Sequence, residues 1–450
     1  MRLALLTAAA VLAAGCIDKP LLPSERPRPD AGEADAGAIC GPEPADERMA
    51  WLETDEIRFN QRVGQIDGDC RDDVVIPGSR AAGTAPGVFV VLGRDTSFMQ
   101  GFDRFVDMPA GEQPVDLALS NLVGADDILD LMVVATEGVD TAVLVYKGLG
   151  DGRFQFFAEK GIAGFELQAG SADGPLPLTF LLAQMEAGTP SLVIADSRAT
   201  RIMSPSSWND MSAIESAPVA APAAFVQDQQ TQELGVVGAP DRTVDDLFDM
   251  SASKKQWYAN RPGPAEFAAG AELTDGIAGV GPSVFLDMDG DGAPDVTSVR
   301  TATGPQLETL VLEPAEPGTP GTIARTVQLA GGLGDPDTVF SDFDLIDVGG
   351  DQRPEAILVE PRFDDGEGQT GSQLSVIPDL EVNAGGLVAD GDPVKFVQER
   401  SIGVHDPDRI VIGAFAEDTT EILVLSSAPF FELGMCHRVV RDPLSFEPCN

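Results

Sequence analysis

Short apolar runs punctuate this chain, each cut off by Gly, Pro, Asp or Ser before it reaches the length of a helix. Val115–Leu119, Leu178–Leu182, Ser283–Leu286 and Arg409–Ile412 form one set, and Val88–Val91, Ala142–Tyr146, Leu310–Leu312 and Leu374–Ile377 another. They are rich in Val, Ile, Leu and Phe, which suit a pleated, half-buried surface, and their bounding residues are those of tight turns. No 3.6-residue apolar stripe is sustained beyond the N-terminal leader, so the pattern predicts an all-β chain of short antiparallel strands. The 48 glycines and 34 prolines are dispersed, and with 43% apolar residues they indicate turns rather than disorder.

An acidic segment recurs between the two sets. Its fullest copy is Asp287-Met-Asp289-Gly-Asp291-Gly-Ala293-Pro-Asp295, after which Val296 opens a strand. Side-chain oxygens at alternate positions, with glycines that allow positive φ, make a loop able to wrap calcium, and the Ala293 carbonyl completes the set. Weaker copies are Gln65, Asp67, Asp69, Arg71 and Asp73; Asn121 to Asp130; Gln184 to Ser191; Val226 to Glu233; Asp347, Asp351, Arg353 and Glu355; and Phe415 to Glu421. The last polar position of each copy gives landmarks at 73, 130, 191, 233, 295, 355 and 421, at intervals of 42 to 66 residues. A period near 60 suits one four-stranded antiparallel sheet with its turns. Residues 422–450 and the stretch from Ala50 to Cys70 together supply nearly one more unit. The expectation is a seven-bladed β-propeller of four-stranded blades whose last blade is shared by both ends of the domain, leaving no free sheet edge.

These segments resemble the FG-GAP/VCBS-type repeats found in propeller heads of integrin alpha chains and in many bacterial surface proteins, over roughly residues 50–450. The resemblance implies a propeller with calcium in some blade loops and a role in recognition rather than catalysis. The fifth copy is the main calcium site expected (Asp287, Asp289, Asp291, Ala293, Asp295), and the sixth and first are further candidates. The other four loops have too few carboxylates and read as metal-free aspartate turns.

The leader supplies a compartment. Met1-Arg2 and the apolar stretch Leu3–Leu12, too short to span a membrane, end in Leu12-Ala-Ala-Gly15-Cys16, which resembles a bacterial lipobox. The predicted organisation is a signal peptide over 1–15, a lipidated Cys16 with a disordered acidic Pro/Ala/Gly tether over 16–39, and the propeller over 40–450. By resemblance to lipoproteins of diderm bacteria, Ile17 after the cysteine favours the outer membrane. Cys40, Cys70, Cys436 and Cys449 form an even set, as expected of two disulfides in an exported chain. Cys436 and Cys449 flank Asp442-Pro443 symmetrically, which favours their pairing in a hairpin and leaves Cys40 with Cys70; a pairing of N- to C-terminal cysteines is the rival.

Charge narrows function further. The 73 acidic residues against 29 basic, a formal charge of −44, repel phosphate backbones and exclude nucleic acid as a partner. No Walker sequence or GxSxG occurs, and His405 and His437 lie in no motif with a nucleophile. Trp257-Tyr258 is the one candidate sugar or partner patch, and residues 135–178 and 361–372 are candidate contact loops. The expected function is a non-enzymatic, envelope-anchored, calcium-stabilised module for binding, adhesion or scaffolding, with an envelope or extracellular protein or glycan as partner. The alternatives are a polysaccharide-acting propeller enzyme using a carboxylate pair, and a structural component of an envelope assembly.

Overall fold

The computed structural model describes residues within 48–448. Residues 1–47 and 449–450 lie outside the described residues, as do stretches inside that span, chiefly 163–178, 212–216, 219–233, 238–245, 273–279, 314–321, 400–408 and 427–431. The leader, the tether, Cys16, Cys40, Cys449 and His405 therefore fall outside them.

Among the described residues the chain is all-β and folds as seven successive antiparallel sheets, strand following strand in chain order. Sheet 1 joins Arg62–Gly64, Asp73–Arg80, Ala85–Val91 and Arg104–Asp107, with Glu56–Ile57 as a fifth strand on the far end of Asp73–Arg80. Sheet 2 joins Gln113–Ser120, Asp130–Glu137, Asp140–Gly148 and Phe154–Ile162. Sheet 3 holds Thr179–Ala183, Ser191–Ala195, Thr200–Met203 and Ala217–Pro218, and sheet 4 Leu234–Val237, Asp246–Ser251, Lys254–Tyr258 and Ala271–Glu272. Sheet 5 holds Val280–Leu286, Asp295–Arg300, Gln306–Leu312 and Ile323–Gln328. Sheet 6 holds Asp342–Ile346, Glu355–Asp364, Gly368–Ile377 and Val394–Glu399, and sheet 7 Arg409–Ala416, Thr419–Ser426, Glu432–Arg441 and Leu444–Pro448. Small hairpins are inserted between the third and fourth strands of sheet 4 (Asn260–Arg261 with Glu266–Phe267) and of sheet 6 (Leu380–Asn383 with Gly386–Ala389).

The opening strand of each sheet lies against that of the next, and the opening strand of sheet 7 lies against Arg62–Gly64 of sheet 1. Successive residues of a strand therefore bury against two different neighbours. Val75 packs with Leu117, Leu131 and Val133 of sheet 2, whereas Val74 and Ile76 pack with Val411, Phe415 and Leu423 of sheet 7. Burial on both faces explains why the second strands read as unbroken apolar runs instead of alternating ones.

Three sequence expectations are corrected. The seventh sheet takes all four strands from 409–448, and Glu56–Ile57 pairs into sheet 1, so among the described residues no sheet is shared by the two ends. Sheets 7 and 1 are instead joined by a clasp. Ala414 N donates to Asp72 Oδ2 at 2.7 Å, and Asp72 N donates to the Ala414 carbonyl at 2.8 Å, with Asp72 only 2% exposed. In the fourth unit, Leu234–Val237 is the first strand rather than the second. The position aligned with Asp73, Asp130, Ser191, Asp295, Glu355 and Glu421 in the strand register is Asp246, which brings the intervals to 49–66 residues. Finally, the described parts of 135–178 and 361–372 are largely strand, the latter being the paired ends of two ten-residue strands of sheet 6.

Replacing Asp72 with Ala leaves the part-buried Ala414 N–H without its acceptor, and a loss of about 1–3 kcal/mol of unfolding free energy is expected. Asp72→Asn, which keeps a carbonyl acceptor, loses less. Equal urea midpoints for wild type and Asp72→Ala would show that the clasp does not hold sheets 7 and 1 together.

Candidate metal centres and buried carboxylates

Asp73, Asp130, Asp246, Asp295 and Glu355 each stand at the first residue of a second strand and are fully buried, while Glu421 is the third residue of its strand and is 6% exposed. Asp73 accepts Ile66 N–H on one oxygen at 2.7 Å and Gly93 N–H on the other at 2.8 Å. Asp295 does the same with Met288 and Leu312, both at 2.9 Å. Asp130 accepts Leu122 and Val123 on one oxygen and Gly148 on the other, and Glu355 accepts Val348 N–H at 2.6 Å. The carboxylate thus ties the start of the preceding loop to the end of the third strand. Burial pushes Asp73 and Asp130 above the usual carboxylate range and Asp295 up to about 7, with the donated N–H groups pulling the other way.

Two of these anchors sit in carboxylate triads whose oxygens lie within 4.8 Å of one another: Asp67, Asp69 and Asp73, and Asp287, Asp289 and Asp295. The loops are shaped by Asx-type turns. Asp67 Oδ1 accepts Asp69 N and Asp69 Oδ1 accepts Arg71 N, with Gly68 at φ 77°. In the fifth loop Asp287 accepts Gly290 N, Asp289 accepts Asp291 N, and Gly290 sits at φ 76°. Asp291, an expected ligand, is outside the triad and accepts Ala293 N at 2.8 Å.

The two triads differ in surroundings. Asp287 and Asp289 are exposed, and the Arg325 guanidinium lies 3.9 Å from Asp289. Asp69 is 6% exposed, and its buried Oδ2 has no hydrogen-bond partner. Burial, with the charge of Asp69 adding, pushes Asp67 up to about 6. Like charges this close repel by about 3 kcal/mol per pair at an effective dielectric of about 20, in both triads. Cys70, between Asp69 and Arg71, is disulfide-bonded and holds a left-handed φ of 69°.

The remaining predicted residues fall as follows. Gln65 is exposed and outside the first triad, and Arg71 contributes its N–H to Asp69. In the sixth loop Asp347 is half-buried, Asp351 lies outside the described residues, and the Arg353 side chain pairs with Glu381 and Asp390 of the inserted hairpin. In sheet 7 the register runs to His437, next to Cys436, opposite Pro448, and Cys449 lies outside the described residues. His437 is buried with its ring 4.1 Å from that of Phe396, and burial lowers its pKa. Trp257 and Tyr258 occupy consecutive, hence alternating, positions of one strand of sheet 4.

Sequence reasoning missed the clasp residue Asp72, hidden beside Asp73 in an Asp-Asp doublet. It also missed Glu112, 6% exposed, whose Oε2 is buried without a hydrogen-bond partner. Burial, with the charges of Glu159 and Glu137 adding, pushes Glu112 up to about 7.

No protein-family model matches the chain, and no curated protein matches it. Among solved structures, an Agrocybe aegerita lectin described as recognising non-reducing terminal N-acetylglucosamine is 13% identical over 76% of this chain and 80% of its own, with a TM-score of 0.46. The rhamnogalacturonan lyase YesW is 10% identical over 86% of this chain and 74% of its own, also at 0.46. The V. cholerae biofilm matrix protein Bap1 is 11% identical over 89% and 68%, at 0.34. Likeness this slight carries no argument about the chain.

Glu112 gives a pH dependence. Its folded pKa of about 7 exceeds the ordinary 4.5, so its contribution to stability is complete below about pH 4.5 and is lost as pH rises through 7. Glu112→Gln, always neutral, should therefore melt close to wild type at pH 4 and above it at pH 8. A melting difference that is the same at both pH values would sink this assignment.

Proposed function

We propose that the protein is an exported, lipid-anchored and calcium-stabilised β-propeller of seven four-stranded blades, related to the FG-GAP/VCBS repeats, that works as a binding or scaffold module. The observation that supports it most is the circular succession of opening strands, with the seventh lying against the first. Such a ring gathers the loops of every sheet onto two open faces, where a protein or glycan of the envelope or extracellular space can be bound without a catalytic constellation. Under this reading Cys16 carries the lipid, residues 17–39 tether the domain outside an outer membrane, and the disulfides are Cys40–Cys70 and Cys436–Cys449. The bonded state of Cys70 and the register beside Cys436 support that pairing.

The residues fit calcium, a hard cation that prefers carboxylate and carbonyl oxygens. The first triad is the tighter site and the fifth the weaker, reversing the order suggested by acidic density. Among the described residues, Asp69 brings a buried oxygen with no hydrogen-bond partner, the loop is held covalently at Cys70, and no arginine pairs with the triad's carboxylates as Arg325 approaches Asp289. A bound divalent cation would neutralise three carboxylates that otherwise repel one another.

Calorimetric titration and melting of the mature protein in millimolar calcium and in excess chelator test this. Wild type is expected to melt higher in calcium. Asp69→Asn, which keeps the Oδ1 acceptor for Arg71 N–H, should lose the tighter site and most of that rise while melting normally in chelator. Asp289→Asn should lose only the weaker site. No calcium-dependent rise in wild type would refute calcium, and an unchanged rise in Asp69→Asn would refute the ranking. Separately, Cys16→Ser is expected to move the protein from the membrane pellet to the soluble fraction; continued pelleting would rule out the anchor.

A further inference from the structure

A cavity of about 530 Å3 lies between sheets 5 and 6, under the hairpin inserted in sheet 6. Its size falls within the roughly 300–1,000 Å3 of small-molecule sites, whereas packed interiors leave few voids larger than a water molecule. Leu333, Phe340, Leu358, Ile377 and Leu387 give it an apolar wall. The roof is pinned from outside the cavity. Arg325 Nη1 donates to the Asn383 carbonyl at 2.7 Å, Leu387 bridges Leu329, and Leu380 N donates to the Pro354 carbonyl at 2.8 Å. Arg353 adds ion pairs to Glu381 and Asp390 at 3.5 and 3.8 Å. The hairpin is therefore held in place without collapsing onto the sheet below.

The chemistry of the cavity is graded. Strand register sets Phe343, Leu358, Ser375 and Lys395 in one row across sheet 6, from its first strand to its outer edge. Phe343 and Leu358 are buried, Ser375 is 7% exposed and Lys395 is exposed at the rim. Gln373 Nε2 donates to Ser375 Oγ at 3.4 Å, which leaves the Ser375 hydroxyl hydrogen to donate in turn. Lys395 has no ion-pair partner among the described residues, an uncommon state for a cation in a chain of net charge −44. Asp392 stands at the same rim. It repels a second negative charge, as does the chain as a whole.

We propose that this cavity binds a small apolar monocarboxylate. The hydrocarbon body lies over Leu358 and Ile377, and the carboxylate meets the Ser375 hydroxyl and the Lys395 ammonium. The site takes a single negative charge on an apolar body; phosphate-like dianions and amines are disfavoured by Asp392 and Lys395 respectively.

Three probes sharing one body separate shape from charge: 4-phenylbutyrate, 4-phenyl-1-butanol and 4-phenylbutylamine, each titrated calorimetrically into the full mature chain. The acid is expected to bind tightest, the alcohol about fivefold weaker, and the amine weakest, as an exposed ion pair allows. Lys395→Gln should weaken the acid about fivefold and leave the alcohol unchanged. Ala389→Trp, which fills the cavity from the hairpin, should abolish binding of all three; if it loses the cooperative melting transition, Val388→Trp at the more exposed neighbouring position replaces it. Binding of none of the probes by wild type would overturn the proposal, as would an amine that binds as well as the acid, a Lys395→Gln variant with unchanged affinity for the acid, or a cavity-filling variant that still binds. Calcium has no part in this outcome, so a failure here leaves the cation sites standing.

Discussion

A single buried carboxylate at the head of a second strand is the constraint on which the rest of the structure depends. The segment before that strand leaves the hydrogen-bonded ladder, and its buried N–H groups need partners that no neighbouring strand supplies. Asp73, Asp130 and Asp295 each meet this need with one oxygen and hold the end of the third strand with the other. Three segments of one sheet are thereby fixed at one end by one side chain. The cost is desolvation, visible in the upward shift of all three groups. This role needs no metal, and it accounts for the acidic residue at these three landmarks; Glu421 instead receives the Arg438 guanidinium.

The same principle, one carboxylate serving distant backbone, joins the sheets to each other. Asp72 reaches Ala414 of sheet 7 while its neighbour Asp73 serves the loops of its own sheet, so adjacent residues act between sheets and within one. Asp342 of sheet 6 likewise accepts Ile410 N–H of sheet 7 at 2.8 Å. Apolar packing supplies most of the adhesion between sheets, as in the Val74, Ile76 and Phe415 cluster, but it is non-directional. These carboxylates set register between sheets that share no ladder. That is why the two ends of the domain meet without exchanging a strand.

The sequence carried the strand pattern well because burial on both faces leaves continuous apolar runs bounded by turn residues. It carried strand order within a unit poorly. Leu234–Val237 follows an acidic residue and looks like a second strand, yet Asp246 heads the true one, since a four-residue apolar run says nothing about its place in the meander. Counting residues at the two ends suggested a shared sheet, because a count cannot register that 409–448 already holds four strands. The carboxylate triads were legible as spacing but not as burial. The fifth loop has the most carboxylates, but Asp291 is outside its triad and Asp289 faces Arg325. The sparser first loop places Asp69 inside, where its second oxygen meets no donor.

A chain built from seven similar units spends most of its polar groups on itself. Landmark carboxylates face backbone N–H groups, Arg48 and Arg94 face Asp103, and Arg300 and Gln328 face Glu308. Groups consumed in this way have nothing left for a ligand, however acidic the surface. Groups left over stand where the repeat is broken: a cysteine set into one loop, and the hairpin inserted in sheet 6. The first break fixes a loop around a carboxylate oxygen that has no hydrogen-bond partner among the described residues, and the second roofs a cavity whose rim lysine has no ion-pair partner among them. In such a molecule the departures from the pattern, rather than its most faithful copy, are where outside chemistry can enter.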